Sequence, residues 1–283
     1  MFGFLNVYKP QGKTSHDVVA ILRRITKIKQ IGHTGTLDPF AEGVLPICIG
    51  KATRLIEYLA DDKAYIGTIQ LGKSTTTYDI EGEITDFSDK KVSIKNIETN
   101  LNLFRGKIQQ LPPIYSAIKV NGRKLYEYAR KGEEVTITPR TVEINKLEIV
   151  NFNELKQLLE VYIECSKGTY IRSIAHDLGK SLGCYAHLIN LKRVKAGKFL
   201  LNNSISLENL QTVEDVKNNL IYPLEYLDYP QFKLNSTDKD KVSHGMPINV
   251  NLPDGITILT HENKLIAISE IHNKKAKISK VFI

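Results

Sequence analysis

The chain contains no tryptophan, two methionines and three cysteines among its 283 residues. Three thiols (Cys48, Cys165 and Cys184) are too few for a disulfide framework and fit a reducing compartment, which points to the cytoplasm. No apolar run approaches the ~20 residues that a bilayer-spanning helix needs, so no membrane partner is expected. The opening MFGFLNVYKPQGK lacks a basic stretch followed by a long apolar core and does not read as a signal peptide. No repeat or low-complexity tract interrupts the chain. What is present, 42% hydrophobic and 25% charged residues, is ordinary for a globular protein. Charge is the departure: 39 Lys plus Arg against 31 Asp plus Glu leaves +8, with a pI near 9.1. That balance favours nucleic acid over a membrane surface as an acidic partner, although charge alone establishes neither.

Residues 3–8 read as a strand, closed by the turn signal Lys9-Pro10-Gln11-Gly12. Thr14 or Ser15 then caps a helix whose apolar face is Val18, Val19, Leu22 and Ile25. Residues 32–43 form a glycine-rich loop, followed by the apolar run 44–49 and a helix through Leu55, Ile56 and Leu59. A strand is expected from Lys63 to Leu71, then a helix capped by Ser93. Residues 106–123 read as a long loop or arm, and strand patterns at 134–150 and 158–165 lead to a helix over 170–182 stopped by Gly183. A composition shift at Tyr229-Pro230 opens a β-rich tail with eight Lys against five Asp plus Glu. A small basic β-module is the natural reading; an extension of the main sheet is the alternative.

The densest unusual stretch runs from Gly32 to Gly43. Pro39 restricts Asp38 to extended geometry, which can aim its carboxylate in a fixed direction. A rigid loop with one carboxylate, one imidazole (His33) and two hydroxyls has the composition of a site, though a connector with Asp38 as a turn former is equally compatible. It is not a phosphate loop, because no Gly-x4-Gly-Lys-Ser/Thr run occurs.

The run GHTGTLDPFAEGVLPICIGKATR closely resembles the catalytic motif of the TruB tRNA pseudouridine synthases. Four further segments agree in order: LNVYKPQGKTSHDVV, KAYIGTIQLGKSTTTYDIEGEI, LPPIYSAIKVNGRKLYEYARKG and CSKGTYIRSIAHDLGKSLGCYAHLINLKR. The basic tail resembles a PUA-like module. The resemblance implies an α+β pseudouridine synthase fold on a mixed, largely antiparallel sheet. It implies a catalytic domain over 1–228 that includes an RNA-clasping arm near 106–132, with an RNA-binding module over 229–283. The implied reaction isomerises uridine 55 in the T loop of tRNA, after base flipping. By the same resemblance Asp38 is the catalytic aspartate, Arg172 its partner and Tyr65 the ring that stacks on the uracil. His33 takes the place of extruded bases, Lys9 supports the site wall, and Leu191 lines the pocket. Lys107, Lys119, Arg123, Lys124, Arg130 and Lys131 would neutralise phosphates. No metal and no cofactor are expected, since the isomerisation is redox-neutral. The intact IYSAIKVNG arm resembles the stand-alone bacterial form, so the partner is the T arm of tRNA, with no guide RNA and a monomeric enzyme.

Three other readings compete. A zinc deaminase would use Cys184, His187, Cys165 and His176, but no Cys-x-x-Cys or His-x-Glu accompanies them. A glycosidase would pair Asp38 with Glu42. A non-catalytic RNA-binding protein would keep the basic arm and tail and have no use for Asp38.

Overall fold

A computed structural model describes all 283 residues. β1 (Gly3–Lys9) opens the chain, and a capping box starts α1 (Ser15–Thr26). The Thr14 hydroxyl accepts from Asp17 N–H at 3.0 Å while Asp17 Oδ2 accepts from Thr14 N–H at 2.8 Å, which satisfies two otherwise orphaned donors. Val18, Val19 and Leu22 bury against Leu5 and Val7 of β1, Ile31 of β2 (Ile31–His33), and Leu45 and Ile47 of β3 (Glu42–Ile49).

These strands belong to a ten-stranded sheet. Its order is Ile205–Ser206, β1, β3, Ala186–Ala196, β4 (Lys63–Leu71), Leu158–Cys165, Arg140–Asn153 and Gly106–Gln110. β2 adds to β3, and Phe199–Leu200 to Ala186–Ala196. Two pairings are parallel, Ile205–Ser206 with β1 and Ala186–Ala196 with β3; the others are antiparallel. The architecture is the expected α+β fold on a mixed, largely antiparallel sheet. Alternation makes one face of it the core: along Leu158–Cys165, every second residue (Leu159, Val161, Ile163, Cys165) is buried. That face packs against Ile97 and Leu101 of α2 (Ile94–Leu101) and Ile174, Ala175 and Leu178 of α4 (Ile171–Leu182). Each of these leucine and isoleucine side chains contributes roughly 1.5–3 kcal/mol by leaving water.

From Gln231 onward the chain builds a separate five-stranded sheet, not an extension of the first. Its contact with the ten-stranded sheet is nonetheless a shared core, in which Ile258, Leu265, Ile268 and Phe282 pack with Phe4, Val44, Leu55 and Phe199. The Phe282 ring lies 5.7 Å from that of Phe2, and Arg54 Nη1 donates to Val281 O at 2.9 Å.

The structure departs from the expected elements in four places. Residues 31–33 are strand, so the glycine-rich loop shortens to 34–41, and Glu42 and Gly43 open β3. Residues 106–110 are an edge strand rather than arm; Lys107 and Gln109 face solvent, and an edge strand with polar outward residues carries no apolar signal. The arm proper is the hairpin Lys119–Val120 with Arg123–Lys124, followed by α3 (Leu125–Lys131). The next strand begins at Arg140, not 134, immediately after Pro139, which lacks an N–H for the ladder. The helix through Leu55 is a 3-10 segment, Gly50–Tyr58, capped at Leu59.

Candidate active site

Residues 34–41 are fastened from the N-terminal side. Leu37 N–H donates to Ser15 Oγ at 2.9 Å, and Gly12 N–H to Pro39 O at 2.9 Å. Lys9 is wholly buried, and its ammonium donates to Lys13 O at 2.6 Å, Pro10 O at 3.0 Å and Pro39 O at 3.3 Å. Burial lowers its pKa to about 8. One cation thus ties the Lys-Pro turn to the residue after Asp38.

Arg172, the second residue of α4, reaches the loop from the other side. Its Nε lies 3.0 Å from Asp38 Oδ2 and its Nη2 donates to Asp38 Oδ1 at 3.4 Å. The Nε–H direction misses the oxygen, so this close contact is an ion pair without a formed hydrogen bond. Nη1 donates to Thr77 O at 3.0 Å and Asp79 Oδ2 at 3.1 Å, and Nη2 to Tyr115 O at 3.1 Å. The guanidinium is therefore held between two carboxylates, a planar fork that a lysine cannot imitate. The helix start that presents it is itself braced, because the Gln110 amide pairs both ways with the Tyr170 backbone at 2.8 and 3.0 Å. Burial pushes the Asp38 carboxyl above the ordinary carboxylate range, Arg172 pulls it back, and Asp79 adds repulsion.

Both residues line a cavity of about 560 Å³, large enough for a nucleotide. Tyr65 of β4 and Leu191 of Ala186–Ala196 form part of its wall, with Tyr115 and Ser116 from the segment leading into the arm and Tyr126 from α3. Tyr65 is buried, which raises the pKa of its phenol and keeps it protonated near neutrality. Four expected residues therefore converge on one space: Asp38, Arg172, Tyr65 and Leu191, with Lys9 behind the loop. His33 stands apart. It sits on β2 opposite Ile47, edge-on to His16 with ring centres 5.6 Å apart, and does not line the cavity. Burial lowers its pKa to about 4, so the imidazole is neutral at pH 7.

Two functional candidates escaped the sequence reading. Asp79 is buried and accepts from Thr77 Oγ1 at 2.6 Å and Glu81 N–H at 3.0 Å on the oxygen that Arg172 leaves free. Arg193 is wholly buried among loop carbonyls. The only local signal for Asp79 was an acid in a polar turn, and for Arg193 a cation in a Lys-Arg pair on a strand. Glu42, the second acid of the glycosidase reading, is bound by Lys192 at 2.8 Å and does not line the cavity. No group of three or more His, Cys, Asp and Glu side chains comes close enough to hold a metal, which removes the ligand set of the zinc reading. A lone carboxylate fixed by a guanidinium, facing a flat aromatic in a nucleotide-sized cavity, suits attack on or deprotonation of a nucleoside.

Residues 23–171, more than half of the chain, match the family described as TruB family pseudouridylate synthase, N-terminal domain, and residues 172–227 match the tRNA pseudouridylate synthase B C-terminal domain. The chain belongs to the TruB family of pseudouridylate synthases. As such it is an isomerase. A TruB relative from Clostridioides difficile, named tRNA pseudouridine synthase B, is 48% identical over 79% of this chain and 75% of its own length. Relatives of the same name from Staphylococcus aureus and Clostridium novyi are each 40% identical, covering 99% and 100% of both chains respectively. The TruB fold recurs in the crystal structure of an archaeal box H/ACA Nop10–Cbf5 complex, with a TM-score of 0.72 at 23% identity over 99% of this chain and 86% of that one. A Cbf5–Nop10–Gar1 complex gives the same TM-score at 25% identity, over 100% and 85%.

Proposed function

We propose that this TruB chain converts uridine 55 in the T loop of tRNA to pseudouridine, with Asp38 as the catalytic carboxylate. The observation that carries the reading is the Asp38–Arg172 ion pair at a cavity shared with Tyr65 and Leu191. The N1–C1′ bond breaks, the uracil turns within the cavity, and a C5–C1′ bond forms; C5 loses a proton and N1 gains one, so no redox partner and no cofactor enters. Asp38 acts in its ionised form, as nucleophile at C1′ or at C6 of the uracil or as base at the 2′ position, and Arg172 orients it. Tyr65 stacks on the uracil and Leu191 closes the apolar wall.

Extrusion of the nucleotide leaves a gap in the RNA. His33 fills it: a neutral, half-buried imidazole stacks on bases without competing for phosphates. Phosphate contacts fall to the exposed cations Lys119, Arg130 and Lys131 of the arm and Lys107 beside it. Arg123 is less free, paired with Glu133 at 2.8 Å and lying 4.2 Å over the Tyr128 ring. Residues 1–228 act as the catalytic domain and 229–283 as a PUA-like RNA-binding module. The enzyme works as a cytoplasmic monomer on free tRNA, without guide RNA.

Incubation with an unmodified tRNA transcript, followed by carbodiimide labelling and primer extension, tests the reading. A single new stop at the T-loop uridine, absent with Asp38→Ala, is the expected result. Tight, salt-sensitive binding without any stop would instead favour a non-catalytic RNA-binding protein.

A further inference from the structure

Arg193 is among the largest fully buried side chains of the protein. A guanidinium keeps its charge at every physiological pH, and taking it out of water costs several kcal/mol unless other groups replace that water. Here every hydrogen-bonded replacement is a backbone carbonyl: Val44 O at 2.6 Å from Nε, Gly35 O at 3.1 Å from Nη2 and Thr36 O at 3.4 Å from Nη1. Gly35 and Thr36 lie in the Asp38 loop and Val44 in the strand β3 that follows it, so one planar group fastens the loop from both sides. Tyr65 lies directly opposite Arg193 in the β4 register, so the two side chains stand on the same face of the sheet. Even the backbone is fitted to this placement. Gly43 has φ +108° and pairs with Arg193, and a Cβ there would sit 2.3 Å from Arg193 O. An apolar side chain would fill the same space at lower desolvation cost, so packing alone does not account for the charge.

We propose that Arg193 is a positioning residue that fixes the Asp38 loop against Tyr65, its cross-strand neighbour, as one unit, so that carboxylate and ring face the same nucleoside. The inference rests on the assignment of Asp38 and Tyr65 above. Arg193 touches no substrate; it acts through the two groups that do. The guanidinium also favours the ionised phenol, against the burial that opposes it. A lysine keeps the charge but offers a point donor, which cannot hold three carbonyls in three directions.

The test is a double-mutant cycle on single-turnover conversion of a tRNA transcript, using Arg193→Lys, Tyr65→Phe and the pair. Arg193→Lys is expected to lower the rate about 100-fold, the scale of a misplaced catalytic group, with RNA affinity within about threefold. In the Tyr65→Phe background the same change should cost less than about fivefold, because the unit is already broken. Losses that multiply independently, or near-wild-type activity of Arg193→Lys, would overturn the proposal. If Arg193→Lys fails to fold, the Arg193 Nε–H resonance carries the test, since its bond to Val44 O shields it from exchange. That signal should move on Tyr65→Phe, and an unmoved signal contradicts the link. Wild type that makes no pseudouridine would sink the functional reading instead, which separates the two failures.

Discussion

Asp79 provides the sharpest test of how Arg172 is held. Asp79→Asn keeps the side-chain volume and leaves Oδ1 to accept from Thr77 Oγ1 and Glu81 N–H as before. What changes is the other end. The oxygen 3.1 Å from Arg172 Nη1 becomes an amide NH2, so donor meets donor in a buried place. A hydrogen bond to a charged group is worth about 1.5–3 kcal/mol, and Arg172 keeps only Thr77 O, Tyr115 O and Asp38. If the loss appears as misorientation of the Arg172–Asp38 pair, the chemical step slows about 10- to 100-fold, since about 1.4 kcal/mol is a factor of ten. Asp79 does not line the cavity, so RNA affinity should stay within about twofold. The assay is release of tritium from C5-labelled uridine in tRNA under single-turnover conditions, beside a filter-binding measurement of affinity. Equal rates for wild type and Asp79→Asn would refute the claim that Arg172 needs both carboxylates.

Burial holds the Asp38 carboxyl above its ordinary range, so between the ordinary and the folded pKa the native state keeps a proton that the unfolded chain has released. Above that window the ionised carboxylate costs stability; Asp38→Asn, expected to be inactive on the proposed function, should raise the melting temperature more at pH 7 than at pH 4 by calorimetry, and equal shifts would contradict the sign. Replacing Lys119, Arg130 or Lys131 by alanine should each reduce the slope of log affinity against log salt by about 1, whereas Arg123→Ala, which loses Glu133 and Tyr128, should leave the slope unchanged. Phe282→Ala opens the core shared by the two sheets and should cost about 3–5 kcal/mol in denaturant unfolding. A C-terminal module that merely rests on the catalytic sheet would lose much less.

Local order was legible wherever its cause lies within a few residues. Thr14 with Asp17 and Ser93 with Asn96 form capping boxes, and Gly183 adopts the left-handed conformation that ends α4. Alternation along Lys63–Leu71 and Leu158–Cys165 named both strands to the residue. The same approach failed at Gly106–Gln110, whose pairing partner lies some thirty residues away, and at β2, where glycine and histidine hid a three-residue strand.

The sequence by itself determined the caps, the alternating strands, the glycine-rich loop and the family, because each depends on neighbours along the chain or on the order of motifs. The resemblance named Arg172, but only the tertiary structure brought it, Asp79 and Arg193 together around Asp38. Arg172 is separated from it by 134 positions and Arg193 from Gly35 by 158, and their approach depends on the register of four strands. No periodicity distinguishes a buried arginine from a solvated one. Burial without a neighbouring carboxylate, and the carbonyls gathered to compensate it, exist only once the sheet has closed around the loop.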